Sequence, residues 1–534
     1  MSGVDGGSGL REKAAGMKHA GAGMATSVWD IVSTHHGERA ISAPGRPWLN
    51  GPGLRALADE VLAALNGAGV GRGDRVGIVL PNGPEAATSF VAVACAATAA
   101  PLNPAYKAEE FEFYLSDLKP RAVIARVGEA SPVRDVAARL GIPVVELVPE
   151  EGGPAGRFRL DMGAMPASAT PGADAARRGH AGADDVALVL HTSGTTARPK
   201  IVPLTNANLA ASAGHIAATL ALTPGDVCLN IMPLFHIHGL IAATLSSLAA
   251  GAAVCCTPGF NAFKFAEWLG GVQPSWYTAV PTMHQAILMR ARSHREAMRG
   301  AGLRFIRSSS ASLPPQVMAE LEEVFGAPVI EAYGMTEAAH QMASNPLPPR
   351  PRKPGSVGVA AGPEIAVMAE NGTVLPQGEI GEVVIRGPNV TPGYDNNPAA
   401  NAKAFTDGWF RTGDQGRLDE EGYLVLTGRL KELINRGGEK VSPIEVDVAL
   451  LDHPAIAEVC TFAIPHDVLG EEVGAVVVPR EGASVTAQDV RDFAAGKLAA
   501  FKVPRHVVVR GDIPKGPTGK VQRIGLAQRL GLAS

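Results

Sequence analysis

The chain is poor in charge, aromatic rings and cysteine. Of its 534 residues, 19% are Asp, Glu, Lys or Arg and 5% are Phe, Trp or Tyr. The 48 Lys and Arg stand against 52 Asp and Glu, a net charge of −4. The basic excess of a nucleic-acid footprint is therefore missing. Small anionic ligands are not excluded, because local charge can oppose the net. The five cysteines are Cys95, Cys228, Cys255, Cys256 and Cys460, with no CxxC pair at metal-ligand spacing. Their odd number, and the adjacent Cys255 and Cys256 in an apolar run, read as reduced, buried thiols in a reducing, cytoplasmic setting. No hydrophobic run is long enough to span a bilayer. The most apolar segment, SFVAVACAATAAPL (Ser89–Leu102), reads as a buried helix stopped by Pro101. Residues 1–24, rich in Gly, Ala and Met, lack the apolar centre of a secretory signal and read as a flexible leader.

What is present is a large core and a regular alternation. With 46% hydrophobic residues the chain can bury a sizeable interior. RVGIVLP (Arg75–Pro81) and RAVIARV (Arg121–Val127) read as buried strands, and Leu54–Ala68 and Glu109–Asp117 as helices. Such alternation predicts parallel sheet flanked by helices. It resumes from Ile201 to Val329, while Glu151–Ala183, rich in Gly, Ala and Pro, reads as a connecting excursion. After Glu379 short strands between Gly turns suggest a small β-rich subdomain. From about Arg429 a compact α+β unit follows. It has a helix from Pro443, strands near Ala457–Ile464 and Glu472–Val478, a helix opened by Thr486, and a closing strand at His506–Val509. The fold class is α/β, with a large N-terminal domain of parallel sheets over 25–428, a hinge at 429–431 and a small mobile C-terminal domain over 432–534. Neither repeats nor long heptads occur, and the sequence is silent on oligomeric state.

One loop stands out. LHTSGTTARPK (Leu190–Lys200) places Thr192, Ser193, Gly194, Thr195 and Thr196 after the apolar strand VALVL and closes on Lys200. Gly194 permits unusual backbone angles, so consecutive N–H groups and hydroxyls can converge on one point beside an ammonium. That chemistry suits a polyphosphate, although the spacing is not that of the common nucleotide-hydrolase loop.

Four further segments follow in order: EAYGMTE (Glu331–Glu337), GWFRTGD (Gly408–Asp414), GYLVLTGRLKELINRGGEKVSPIEVD (Gly422–Asp447) and PKGPTGK (Pro514–Lys520). Together with the loop they resemble the motifs of the adenylate-forming enzymes: acyl-CoA synthetases, luciferases and peptide-synthetase adenylation domains. The resemblance covers almost the whole chain after the leader. It implies an ATP-dependent ligase that makes an acyl-adenylate and then a CoA thioester. Thr192–Thr196 and Lys200 would hold the phosphates. Ser310, Ala311, Ser312, Glu331, Ala332 and Tyr333 would line the adenine. Asp414 and Arg429 would hold the ribose. Thr336 would touch phosphate, and Glu337 would bind Mg²⁺ through hard carboxylate oxygen. Lys520 would bridge the acid and the α-phosphate, stabilising charge as it builds. Lys431 would be the hinge, and Gly437 and Gly438 would face the pantetheine channel of CoA.

Departures from the commonest pattern bear on the acid. RSSSASL (Arg307–Leu313) carries Ser309 and Ser310 where most relatives have glycines, EAAHQM supplies His340, and MPLFHIHGL supplies His236 and His238. Donors in place of bare space imply a small polar pocket, with Ser310, His340 and His236 as the acid-binding set and a protonated histidine as its charge. The resemblance is nearest to the oxalate–CoA ligase group. A ligase for another short or medium-chain acid, or a non-catalytic ATP-binding relic, stays open on sequence alone.

Overall fold

The computed structural model describes residues 25–165, 177–192, 199–291, 295–516 and 520–533. Two sheets dominate. One has the spatial order Phe158–Asp161, Val144–Pro149, Ala122–Arg126, Arg75–Val79, Thr98–Pro101, Val186–His191, Ile201–Thr205, parallel inside and antiparallel at both edges. The other runs Ile41–Ser42, Ala253–Cys256, Val227–Asn230, Trp276–Ala279, Phe305–Ser308, Val329–Met335, then the antiparallel strands His340–Ser344 and Val359–Ala360.

Packing between these sheets explains the apolar run near residue 90. The helix Pro84–Ala94 buries every residue except Glu85, as a helix enclosed on all sides must. It lies against strands of both sheets. The sequence expectation of one helix over Ser89–Leu102 is corrected here. The chain turns at Cys95–Ala97, and Thr98–Pro101 is a fully buried strand whose Thr98 hydroxyl donates to the Val186 carbonyl at 2.6 Å. A short, continuously apolar run carries no period to separate helix from strand. The excursion Glu151–Ala183 likewise contains an edge strand, Phe158–Asp161, within its described part.

The β-rich subdomain is a five-stranded antiparallel sheet that begins at Glu364, earlier than expected, and ends with Leu424–Arg429. The small C-terminal unit follows as predicted. Pro443–Leu451 is a helix, Ile456–His466 and Gly470–Pro479 form a long antiparallel pair, and His506–Val509 pairs parallel to the second of them. Thr486 and Asp489 make the reciprocal capping box of Ala487–Ala495. All five cysteines are free and buried. Among the described residues no helix is long and apolar enough to cross a membrane.

The small unit is tied together by Asp447. Its carboxylate accepts from the Thr461 backbone N–H at 2.7 Å and pairs with the Arg523 guanidinium at 2.7 Å, both side chains being mostly buried. Removing one partner of such a pair leaves the other charge poorly solvated. Asp447→Ala is expected to cost about 3 kcal/mol. The measurement is differential scanning calorimetry, which should show an early transition belonging to the C-terminal unit while the large domain melts unchanged.

Candidate active site

The phosphate-type loop is pinned at its ends. The Thr192 N–H donates to the Lys200 carbonyl at 2.9 Å, and the Lys200 N–H to the Thr192 hydroxyl at 3.1 Å. Ser193, Gly194, Thr195 and Thr196 lie outside the described residues. Lys200 turns toward the YGMTE segment. Its ammonium sits 4.1 Å above the Tyr394 ring, and the Tyr394 hydroxyl donates to Glu337 at 2.8 Å. Burial pushes the Glu337 carboxyl above its ordinary value, while Tyr394, Arg429 and Lys200 oppose that shift. Tyr394 is a site residue that sequence reading missed. An aromatic in a loop gives no signal until the loop is folded back.

Thr336–Ala338 form a single 3₁₀ turn at the end of Val329–Met335. The chain then doubles back sharply. A Cβ on Gly334 would lie 1.6 Å from the His340 carbonyl oxygen, so only glycine fits there. His340 and Ser310 both hold positive φ, 99° and 76°. Non-glycine residues there carry roughly 1–3 kcal/mol of strain each, which the surrounding packing must sustain. Ala332 and Tyr333 are buried, and Ala311 and Ser312 are exposed beside them. The Glu331 carboxylate is buried, accepting from the Leu313 N–H at 2.9 Å, and burial raises its pKa to about 8.

A second knot lies at the end of the large domain. Asp414 accepts from the Tyr333 hydroxyl at 2.5 Å and from Arg429 Nε at 2.8 Å. Lys520 stands close enough to feel both Asp414 and Arg429. The expected C-terminal lysine therefore reaches the motifs of the large domain. The Gly437–Gly438 turn, with φ of 60° and 98°, is instead exposed, as is Lys431.

The third group is cationic. The His238 ring bonds the Ser310 hydroxyl at 3.0 Å and the Thr278 hydroxyl at 2.6 Å, and its centroid lies 4.9 Å from that of His340. His236, His340 and Lys520 all act electrostatically on His238. Arg307, fully buried in the strand Phe305–Ser308, acts on both His238 and His340. Desolvation and these cations hold His238 and His340 well below the ordinary imidazole value, and His236 at about 3. The expectation of a protonated histidine is corrected. The imidazoles are neutral, and the fixed positive charge belongs to Arg307, a residue quoted in RSSSASL but given no role on sequence grounds.

Among the described residues no group of three or more His, Cys, Asp or Glu has metal-site spacing. Glu337 alone fits a hard cation that takes its other oxygens from phosphate and water.

The AMP-binding enzyme family matches residues 29–395, and the AMP-binding enzyme C-terminal domain matches residues 445–520. An oxalate–CoA ligase of Arabidopsis thaliana is 48% identical over 497 residues, 92% of this chain and 95% of that protein. One of Saccharomyces cerevisiae is 42% identical over 484 residues, 87% of this chain and 88% of that protein. The crystal structure of ATP-bound MatB from Rhodopseudomonas palustris superposes with a TM-score of 0.84 at 32% identity, covering 95% of this chain and 99% of that one.

Burial and the nearby Arg429 lower the Lys520 pKa to about 8, with Asp414 opposing them. Amine-selective labelling of Lys520, followed by mass spectrometry, should be half-maximal near pH 8. Exposed lysines should require about two units more.

Proposed function

The chain belongs to the AMP-binding enzymes, and from that membership we propose that it joins oxalate to coenzyme A, with ATP cleaved to AMP and pyrophosphate. The observation that carries the acid is the cluster of Arg307, His340, His238 and Ser310 at the carboxyl ends of parallel strands, where such sheets receive ligands. Oxalate has two carboxylates. One reacts, and the other must be desolvated, which is costly unless donors meet it. Neutral imidazoles and the Ser310 hydroxyl supply donors.

In the first half-reaction a carboxylate oxygen attacks the α-phosphorus of ATP, and the bond to pyrophosphate breaks. Thr192, Ser193, Gly194, Thr195, Thr196 and Lys200 cradle the phosphates, with Thr336. Tyr333, Ala332, Glu331 and the Ser310–Ser312 segment hold the adenine side. Asp414 accepts from the ribose hydroxyls, and Arg429 keeps Asp414 oriented. Mg²⁺, when bound at Glu337, screens the phosphate charge. The Lys520 ammonium meets the charge that builds on the α-phosphate oxygens, and His236 flanks the reacting carboxylate.

In the second half-reaction the CoA thiolate attacks the acyl carbon and AMP leaves. Lys520 then stands where the thiol must approach. Rotation of residues 432–534 about the hinge at 429–431, with Lys431 absorbing the backbone change, withdraws it from residues 25–428 and brings Gly437 and Gly438 to the channel.

Two tests follow. In a panel of acids assayed for CoA-dependent AMP release, oxalate should exceed hexanoate and benzoate; a preference for either would refute the acid and leave the ligase. His340→Ala should lower kcat/KM for oxalate about tenfold with little change in the KM for ATP. Lys520→Ala should abolish acid-dependent exchange of pyrophosphate into ATP but spare thioester formation from supplied acyl-AMP. Equal loss in both would refute domain alternation.

A further inference from the structure

Arg307 is unusual for a charged residue. It is 0% exposed in a strand whose four residues are all buried. Its Nη2 donates to the Gln341 side-chain oxygen at 3.3 Å, and its Nε and Nη1 have no hydrogen-bond partner. Among the described residues it makes no ion pair. A structural arginine of this depth is normally closed off by a carboxylate or by carbonyls, because buried unpaired charge is strongly unfavourable.

The register places it. Arg307 pairs with Thr278 of the adjacent parallel strand, and paired residues share a sheet face. On that face the Thr278 hydroxyl bonds His238, and His238 bonds Ser310. Gln341 follows His340 directly, and the unpartnered His340 Nδ1 is a second open polar atom in the cluster. The same Gln341 amide is fixed by the Thr219 hydroxyl at 3.1 Å and the Ala361 carbonyl at 3.0 Å, so it holds the guanidinium in place but does not neutralise it.

We propose that Arg307 is the specificity-determining residue for the acid, a permanent cation kept unpaired in the protein so that the non-reacting carboxylate of a dicarboxylate completes it. This rests on the reading of the site as the acid pocket. The neutral histidines and Ser310 orient the acid, whereas Arg307 selects for its second charge. An arginine serves here because burial lowers its pKa only to about 9, which leaves it charged at neutral pH, where an imidazole becomes neutral. The arrangement trades folding stability for selectivity, as active-site charges often do.

Oxalate and oxamate separate charge from shape. They have nearly the same size, and oxamate carries a neutral amide in place of the second carboxylate. Wild-type enzyme should use oxalate at least tenfold better in kcat/KM, measured as pyrophosphate release. Comparable use of the two would overturn the proposal without any variant. Arg307→Met keeps the length and removes the charge. It should lower kcat/KM for oxalate about a hundredfold and for oxamate less than threefold, leave the KM for ATP unchanged, and melt no lower than wild type. Arg307→Lys should recover part of the oxalate preference. Equal losses for both acids, or a lower melting temperature for Arg307→Met, would make Arg307 structural and refute the assignment. If wild type prefers malonate to oxalate, the oxalate reading fails alone, and malonate against malonamate puts the same question to Arg307. A preference for an acid with no second carboxylate would refute both.

Discussion

Positive charge held away from water is the constraint around which this site is organised. Arg307 and Lys520 belong to different domains, yet both act on His238 and His340. Asp414, the carboxylate that acts on Lys520, is already committed to Tyr333 and Arg429. A protein can bear such an excess only where the rest of the fold is strong enough to sustain it. Here that strength comes from the two large sheets and the helix Pro84–Ala94, buried but for Glu85, packed between them. The same packing holds Ser310 and His340 at backbone angles that glycine would adopt more readily. Charge and strain therefore concentrate at one end of the second sheet, opposite anions that the substrates bring.

The two domains divide the charge in a way that suits a two-step reaction. Arg307 is fixed in a central strand and cannot leave. Lys520 belongs to the C-terminal unit, and its backbone carbonyl accepts from the Gly516 N–H of the same unit at 2.8 Å. Among the described residues the polar ties between domains are few: the Gln285 amide donates to the Ala457 carbonyl at 3.3 Å, Gln316 meets Asp452, and the Ser442 hydroxyl donates to the Thr427 carbonyl. Single polar contacts of this kind are worth about 0.5–1.5 kcal/mol each. In the proposed two-step reaction such an interface would let Lys520 depart once the phosphorus chemistry is finished, while Arg307 would keep hold of the acid.

Most of the architecture was legible in the sequence because its motifs are local. The helix from Pro443, the capping box at Thr486 and Asp489, and the alternating strands follow from short-range rules. The YGMTE, TGD and C-terminal lysine segments come together in space, as the family resemblance implied. Three features were not legible. The Ser89–Leu102 run has no period, so its helix-to-strand change could not be seen. Tyr394 joins Lys200 to Glu337 only through tertiary folding. Arg307 stands one residue from Ile306 in RFIRSSS, where a cation reads as the outward face of an alternating strand. Only the covering helix, the neighbouring strands and the return of the chain at His340 turn that face inward.

The histidines show why residue type alone misleads about charge. Three imidazoles beside a carboxylate site suggest a protonated cluster. Protonation, however, requires water or a counter-anion, and desolvation comes first among the causes that depress all three. Once Arg307 is buried among them, each further proton is opposed by an existing charge. The cluster therefore settles into one permanent cation surrounded by neutral donors, and the division is chemically useful. Neutral imidazoles can donate or accept according to tautomer, so they set orientation. The guanidinium cannot accept a hydrogen bond, and although burial lowers its pKa to about 9 it keeps its proton at neutral pH, so it sets the sign of the ligand. An acid that offers shape without charge satisfies the donors and leaves the cation unpaired; an acid with both satisfies the whole cluster. Discrimination by an unpaired buried charge exceeds what contact area alone achieves on so small a molecule, because the wrong ligand must bind while that charge remains desolvated.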